Sequence, residues 1–220
     1  MCALLLELGP EDEVIVPSFA FVATAEAFAL RGARIVFADV LPDTLCLDAQ
    51  SVEQRAGPRT RAIVALHYGG VGCEMDGLMA VAERVGARLV EDNAHGLGGA
   101  WRGRMLGTVG ALATLSFHET KNLTCGEGGA LVVNDEALLP RAEIVRQKGT
   151  DRGAFERGLV GRYTWVDHGS SYAPSELQAA FLAAQLEAAD TIQREREAVW
   201  TRYLDALGPW AEAAGAALPV

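Results

Sequence analysis

The sequence predicts an α/β fold built around a largely parallel β-sheet. Short apolar runs rich in β-branched residues recur along the chain, and each is typical of an interior strand of a parallel sheet. The runs are Glu13–Pro17, Arg34–Val40, Arg61–Leu66, Arg88–Asp92 and Ala111–Phe117. Segments with a helical pattern lie between them, at Ala23–Leu30, Ser51–Ala56 and Met75–Val85. This alternation predicts βαβ units with right-handed crossovers.

The second half of the chain adds one strand and two helices. Gly128–Val133 predicts a strand, and a helix follows from 135 to about 148. The Gly- and Arg-rich stretch 149–171 has no clean period and predicts a loop, which is a common place for site residues. A long helix is expected from Ser175, a good capping residue, to about Leu207.

Length and composition exclude several classes of protein. The 220 residues are 50% hydrophobic and 22% charged, which is enough to bury a globular core. A net charge of −10 argues against a nucleic-acid partner, because such surfaces are normally basic. No apolar run has the length of a membrane span and no secretory pattern is present, so a cytoplasmic location without a membrane partner is expected. The scattered cysteines suggest neither a metal site nor a disulfide framework.

Lysine is used sparingly in this chain. Of the 19 basic residues only Lys121 and Lys148 are lysine, and the others are arginine. A lysine amine can form an imine with a carbonyl compound, whereas a guanidinium cannot usefully do so. These two residues are therefore the candidates for amine chemistry, with an ordinary surface position as the alternative for each.

Two predicted strands end in polar groups, at the edge where an open α/β sheet binds its ligand. The first delivers Asp92 and, three residues later, His95. The second leads through Ser116 to Lys121 and then to the glycine-rich turn 126–129. Hydroxyl groups and glycine turns let backbone amides approach a phosphate, and the lysine places an amine nearby.

Four segments carry a resemblance to a known family. In order and spacing they resemble the DegT-type sugar aminotransferases, which have fold type I of the pyridoxal-phosphate enzymes. The segments are Pro17–Val22, Glu91–His95, Ser116–Asn122 and Gly126–Ala130. The resemblance runs through nearly all of the chain. It implies a three-layer α/β/α sandwich with a mostly parallel, mixed sheet.

The resemblance also implies a division of the chain. Residues 1–207 would form the large, cofactor-binding domain, and 208–220 would begin the connection to a smaller C-terminal domain. The family's phosphate-binding turn would belong upstream of Met1, and most of the small domain beyond Val220. A chain without these parts is expected to bind its cofactor weakly.

The resemblance assigns catalytic roles around pyridoxal 5'-phosphate. Lys121 would form the imine with the cofactor aldehyde and move a proton between substrate and cofactor carbons. Asp92 would keep the pyridine nitrogen protonated, with a structural salt bridge as the alternative. His95 would lie near the cofactor's phenolic oxygen. His67 and His118 lie in similar strings, and a structural role is at least as good a hypothesis for each.

The remaining implied contacts hold the cofactor in place. Phe21 would stack on its ring, with a position in the hydrophobic core as the alternative. Ser116 would bind the phosphate through its hydroxyl and backbone. Ser171 would reach the cofactor phosphate of a partner subunit, so a homodimer with shared sites is expected.

The implied reaction is transamination of a nucleotide-linked 4-keto-6-deoxy sugar, such as TDP-4-keto-6-deoxyglucose, with glutamate as the amino donor. Two alternatives stay open. One is an inactive or regulatory member that keeps the fold without turnover. The other is a sugar dehydratase of the same fold, in which histidine typically replaces the imine-forming lysine. Lys121 argues against the dehydratase.

Overall fold

A computed structural model describes residues 1–218 of the chain. Within these residues eight strands form. They are β1 (Glu13–Pro17), β2 (Arg34–Ala38), β3 (Thr60–Leu66), β4 (Arg88–Asp92), β5 (Ala100–Trp101), β6 (Arg104–Met105), β7 (Leu112–Ser116) and β8 (Gly129–Val133). Six of them form one sheet in the order β2-β1-β3-β4-β7-β8, and β5 pairs with β6 in a short hairpin. All neighbours in the large sheet are parallel except β7 and β8.

Eight α-helices form within residues 1–218, and five of them supply residues to the cores on the two faces of this sheet. The eight are α1 (Cys2–Leu5), α2 (Val22–Ala29), α3 (Ala49–Arg55), α4 (Met75–Val85), α5 (Leu139–Arg146), α6 (Arg152–Glu156), α7 (Glu176–Glu187) and α8 (Ala189–Ala214). One hydrophobic core contains residues of α1, α2 and α5, and a second contains residues of α3 and α4. The predicted three-layer α/β/α sandwich with a mixed, mostly parallel sheet is confirmed.

Strand periodicity explains why two cores form. In β1, Val14 and Val16 pack into the first core, whereas Ile15 between them packs into the second. The same alternation separates Val64 from Ile63 in β3. Because successive side chains of a strand point to opposite faces, a continuous apolar run buries itself against helices on both sides.

Two predictions about the strands and helices of the first half have different outcomes. Helix α4 has the predicted bounds, and Gly86 ends it in the left-handed conformation at φ 70°. The predicted strand Arg34–Val40 is wrong as an interior strand: β2 lies at the sheet edge and stops at Ala38. Val40 instead pairs with Leu47 in an isolated bridge. A short apolar run does not distinguish an edge strand from an inner one.

The second half departs further from prediction. The expected loop 149–171 contains the short helix α6, and the helix expected over 135–148 opens with the 3₁₀ turn Glu136–Leu138 before α5. The single helix expected up to Leu207 is two helices, which meet at Ala188. No glycine or proline marks that junction, so the helical pattern runs across it.

The end of α8 also differs from the prediction, because the helix continues to Ala214 with Pro209 inside it. Gly208 and Pro209 are typical stop signals, and they account for the error. The connection expected at 208–220 therefore begins as helix, and its last two positions lie outside the described residues. None of the helices described in residues 1–218 combines the length and apolar character that crossing a membrane requires.

Candidate functional site

The carboxyl ends of three neighbouring strands form the rim of the site. Asp92, the last residue of β4, is in register with Leu66 of β3 and Thr114 of β7. Two residues beyond Thr114, β7 ends at Ser116. Because these strands are parallel, their polar ends meet at one edge of the sheet, where open α/β sheets bind their ligands.

A cavity of about 330 Å³ opens at this edge. It brings together Lys121, His95 and Ser116, which the sequence places on separate segments. The other residues that line it are Tyr68, Gly69, Ala94, Leu97, Thr120, Asn122 and Leu123. An amine, an imidazole and a hydroxyl thus face one small space. Lys148, the other lysine, does not line this cavity; it follows α5 in a left-handed conformation at φ 64°.

Asp92 lies beside the cavity with both carboxylate oxygens engaged. The hydroxyl of Thr24 donates to Oδ2 at 2.6 Å, and the backbone N–H of Ala94 donates to Oδ1 at 3.2 Å. Thr24 is buried in the first turn of α2, and it fixes the orientation of a carboxylate 68 positions away. No described residue forms a salt bridge with Asp92, so the structural salt bridge considered for it is not present. The Thr24 contact is invisible in the sequence, where Thr24 is one small residue of a helical pattern.

His95 is oriented by the turn that follows β3. The backbone N–H of Gly69 donates to Nδ1 of His95 at 3.2 Å, and the Tyr68 ring packs edge-on with its centroid 5.5 Å from that of His95. Since Nδ1 accepts a hydrogen bond, the neutral ring carries its proton on Nε2. Burial and the nearby Lys121 ammonium lower the pKa of His95, and Asp92 opposes them. The neutral imidazole is therefore favoured.

Lys121 sits in a loop that is closed by its own backbone. Phe117 N–H donates to the carbonyl of Gly128 at 2.8 Å, and Cys125 N–H donates to the carbonyl of Phe117 at 3.0 Å. Inside this closure Lys121 N–H donates to the carbonyl of His118 at 2.9 Å. Phe117 and Cys125 are buried, so the ends of the loop are anchored while the lysine faces the cavity.

Three of the predicted site residues do not line the cavity in the described part of the chain: Asp92, which lies beside it, Phe21 and Ser171. Phe21 occupies the N-cap position of α2, and its side chain is 75% exposed, which rules out the core position considered for it. Ser171 is exposed and pairs with Gln147 in an isolated bridge after α5. The structure thus gathers Lys121, His95 and Ser116, with Asp92 beside them.

A buried hydrogen-bonded pair behind the site was not predicted. Glu91 and His67 are both fully buried, with His67 Nε2 2.9 Å from Glu91 Oε2. Glu91 also accepts the backbone N–H groups of Gly107 at 2.7 Å, Val109 at 2.7 Å and Gly110 at 2.6 Å. The available signal was a glutamate that directly follows the apolar pair Leu89–Val90 within a predicted strand, because a buried carboxylate requires partners.

The hydrogen bonds of His67 define which of its ring nitrogens carries the proton. Cys73 N–H donates to His67 Nδ1 at 3.2 Å, so the proton lies on Nε2 and is donated to Glu91. His67 therefore has the structural role that was one of the two hypotheses for it. The pair joins β4, which ends in Asp92, to the turn that carries Tyr68 and Gly69.

Comparison with known proteins agrees with this architecture. The model of the DegT/DnrJ/EryC1/StrS aminotransferase family matches residues 1–218. An aminotransferase from Psychrobacter cryohalolentis is 32% identical over 97% of this chain and 55% of its own, with a TM-score of 0.87. The aminotransferase TlmJ from Streptoalloteichus hindustanus is 35% identical over 93% of this chain and 54% of its own, with a TM-score of 0.83.

A third structure is informative about the cofactor. A Streptococcus pneumoniae protein described as a sugar aminotransferase, in its PMP form, is 26% identical over 93% of this chain and 59% of its own, with a TM-score of 0.83. The chain spans little more than half the length of these structures. Pyridoxal 5'-phosphate is the cofactor of the family, as the sequence resemblance implied. The chain belongs to the DegT/DnrJ/EryC1/StrS aminotransferase family.

Proposed function

We propose that this protein transfers an amino group from glutamate to a nucleotide-linked 4-keto-6-deoxy sugar, such as TDP-4-keto-6-deoxyglucose. The observation that carries the proposal is the position of Lys121. One of only two lysines in the chain lines the cavity at the carboxyl edge of the sheet, with His95 and Ser116. The sugar is supported by the sequence resemblance and by the description of the Streptococcus pneumoniae protein as a sugar aminotransferase.

The residues around the cavity fit pyridoxal phosphate. A volume of about 330 Å³ lies at the small end of the range for small-molecule sites. Ser116 Oγ accepts the N–H of His118 at 3.4 Å, which leaves its hydroxyl proton free to donate to a phosphate. The carboxylate of Asp92 suits a protonated ring nitrogen, and the amine of Lys121 suits an aldehyde.

Lys121 would be the catalytic residue. When bound, the cofactor supplies an aldehyde for imine formation and a ring that accepts electrons from the substrate carbon. Lys121 Nζ would react with that aldehyde, and after its displacement by the amino donor it would take a proton from the donor's α-carbon. In the second half of the reaction it would return a proton to the sugar carbon. The closed loop 117–128 supports this role, because Lys121 within it lines the cavity.

Asp92 and His95 would each contact one polar atom of the cofactor ring. Asp92 would hold a proton on the ring nitrogen, and Thr24 keeps the carboxylate in one orientation for that task. His95, with its proton on Nε2, would donate a hydrogen bond from that atom to the cofactor's phenolic oxygen. Its lowered pKa supports this role, because a neutral ring beside Lys121 adds no competing charge.

The remaining assignments concern a contact with a second subunit, the face of the cofactor ring and the division of the chain into domains. We propose that Ser171 acts toward the cofactor phosphate of a second subunit, which its exposed position outside the cavity supports. Phe21 would cover the cofactor ring from the start of α2, one turn before Thr24. Residues 1–207 would form the cofactor-binding domain, and 208–220 would lead to a further domain through the last turns of α8.

The test is a coupled assay of both half-reactions. The purified protein, loaded with pyridoxal phosphate, is incubated with glutamate and TDP-4-keto-6-deoxyglucose. The expected products are 2-oxoglutarate and an amino sugar of matching mass, in equal amounts. Lys121→Ala should form neither product, while Lys148→Arg should form both.

The two alternatives predict different results in the same assay. A member without turnover would bind the cofactor and yield no amino sugar. A dehydratase would consume the sugar without retaining the amino group of glutamate in the product. Either result would overturn the proposal.

A further inference from the structure

We propose that Gln178 is a positioning residue that ties helix α7 to the loop carrying Lys121. The side-chain Nε2 of Gln178 donates to the backbone carbonyl of Glu127 at 2.7 Å. Glu127 directly precedes Gly128, whose carbonyl closes the lysine loop on Phe117. One amide side chain therefore connects a helix 51 positions downstream to the closing point of the loop.

The amide of Gln178 is engaged at both ends, which fixes its orientation. Its Oε1 accepts the backbone N–H of Ser175 at 3.0 Å, and Ser175 Oγ in turn accepts the N–H of Gln178 at 3.3 Å. This reciprocal pair is a capping box at the start of α7. Because Oε1 is used by the cap, the two protons on Nε2 are directed outward, and one of them reaches Glu127.

The closing point of the loop is sterically constrained. The carbonyl of Glu127 also accepts the Cys125 thiol, with Sγ at 3.6 Å, and a side chain at Gly128 would overlap the Cys125 sulfur. The turn is thus held by close approach of its own atoms. Gln178 donates to the same Glu127 carbonyl from outside the loop.

Within the described chain, helix α7 has no buried side chain that could hold it in place instead of this hydrogen bond. None of the described residues of α7 is buried, although the helix is 12 residues long. Among the described hydrogen bonds, the one from Gln178 is the side-chain link between α7 and the strands or loops of the sheet. This hydrogen bond therefore fixes one point of α7 relative to the lysine loop. The position of α7 and the order of the lysine loop are therefore coupled through Gln178.

Two matched variants separate this coupling from helix capping. Gln178→Glu keeps an oxygen that accepts the Ser175 N–H, so the cap survives, but it has no N–H to donate to Glu127. Ser175→Ala removes the capping hydroxyl, including the hydrogen bond of 3.0 Å that it donates to Gln178 Oε1, but it keeps the Ser175 N–H on that oxygen and both protons of Gln178 Nε2. Ser175 is the N-cap and Gln178 lies in the first turn of a helix without buried residues, so neither change should prevent folding, and circular dichroism checks this.

The readout is amide hydrogen exchange of the cofactor-free 220-residue protein, resolved for peptides covering 117–128. Gln178→Glu should accelerate exchange in this loop roughly two- to tenfold, as expected for a lost neutral hydrogen bond. Ser175→Ala should accelerate exchange in the first turn of α7 and leave the loop unchanged. An unchanged loop in Gln178→Glu, or equal acceleration by both variants, would overturn the proposal.

The consequence for Lys121 rests on the proposed function and has its own measurement. In cofactor-loaded protein, borohydride should trap Lys121 more slowly in Gln178→Glu than in Ser175→Ala, because a mobile loop presents the amine less often. One outcome is that the loop exchange changes as expected while borohydride traps Lys121 neither in the two variants nor in the unmodified chain. In that case the coupling stands and the proposed function fails. Equal trapping in the two variants would show that the coupling does not reach the amine.

Discussion

The Nε2 atom of His67 lies 2.9 Å from Oε2 of Glu91, and both side chains are inaccessible to solvent. Glu91 has three further donors, the backbone N–H groups of residues 107, 109 and 110. These contacts join β4 to the loop before β7 and to the turn after β3. A carboxylate buried behind the site therefore holds together the segments on which Asp92 and the Tyr68–Gly69 turn depend.

Replacing Glu91 by Gln should destabilise the protein at pH 7. One carboxylate oxygen becomes an N–H group that faces backbone N–H donors, so hydrogen bonds to a charged acceptor are lost in a buried place. We expect the free energy of unfolding to fall by about 3 kcal/mol. Urea unfolding measures it, with Glu53→Gln as the control because Glu53 forms an exposed pair with Arg84. A change below about 0.5 kcal/mol, the size expected for an exposed pair, would contradict the prediction.

The same contact predicts how stability depends on pH. Burial raises the pKa of Glu91, but the hydrogen bonds from His67 and the backbone outweigh it and leave the pKa below its ordinary value of 4.5. A lowered pKa means that folding favours the carboxylate, so the contribution is complete above about pH 4.5 and is lost as the pH falls through the folded-state value. The difference in the free energy of unfolding between the parent protein and Glu91→Gln should become smaller in acid. A difference that stays constant with pH would show that ionisation of Glu91 plays no part.

Borohydride reduction of the cofactor-loaded protein should label Lys121 and leave Lys148 unmodified. Lys121 lines the cavity, whereas Lys148 lies after α5 and does not. Peptide mapping by mass spectrometry locates the label. A label on Lys148, or on neither lysine of protein with bound cofactor, would refute the assignment.

Asp92→Asn should slow transamination by roughly a hundredfold or more, the scale of a lost electrostatic contact in a site. The amide keeps the shape of the carboxylate and removes the charge proposed to hold the ring proton. The measurement is the rate of the half-reaction with glutamate at saturating cofactor, so that weaker cofactor binding does not enter. Near-normal rates would mean that Asp92 has a structural role alone.

Thr24→Val should lower the same rate by about ten- to a hundredfold, while Thr24→Ser should retain most of it. Valine has the shape of threonine but cannot donate to Asp92 Oδ2, and the lost bond to a charged acceptor has an energy of about 1.5–3 kcal/mol. Serine keeps the hydroxyl. If the two variants lose equal activity, the packing of α2 rather than the hydrogen bond is responsible.

His95 should titrate below its ordinary pKa of 6.5 in the cofactor-free protein, and its neutral ring should carry the proton on Nε2. Burial lowers the pKa, and the charge of Lys121 lowers it further. Nitrogen NMR of the imidazole ring reports both the tautomer and the titration midpoint. Lys121→Ala should raise the midpoint because it removes the ammonium, and an unchanged midpoint would show that the two groups do not interact.

Much of the fold and part of the site could be predicted from the sequence. Strand runs such as Arg88–Asp92 and the helix Met75–Val85 were recognisable because backbone periodicity is a local property. Lys121 was identified because it is one of two lysines and follows a strand end. Asp92, His95 and Ser116 were identified because the ends of parallel strands meet at one edge of a sheet.

The tertiary structure alone decided which groups meet over long sequence distances. It placed the hydroxyl of Thr24 on Asp92, the imidazole of His67 on Glu91 and the amide of Gln178 on Glu127. It also placed β2 at the sheet edge and ended the first of the two long helices at Glu187. The physical reason is that periodicity specifies the face a residue presents, whereas the partner on that face depends on strand order and loop closure.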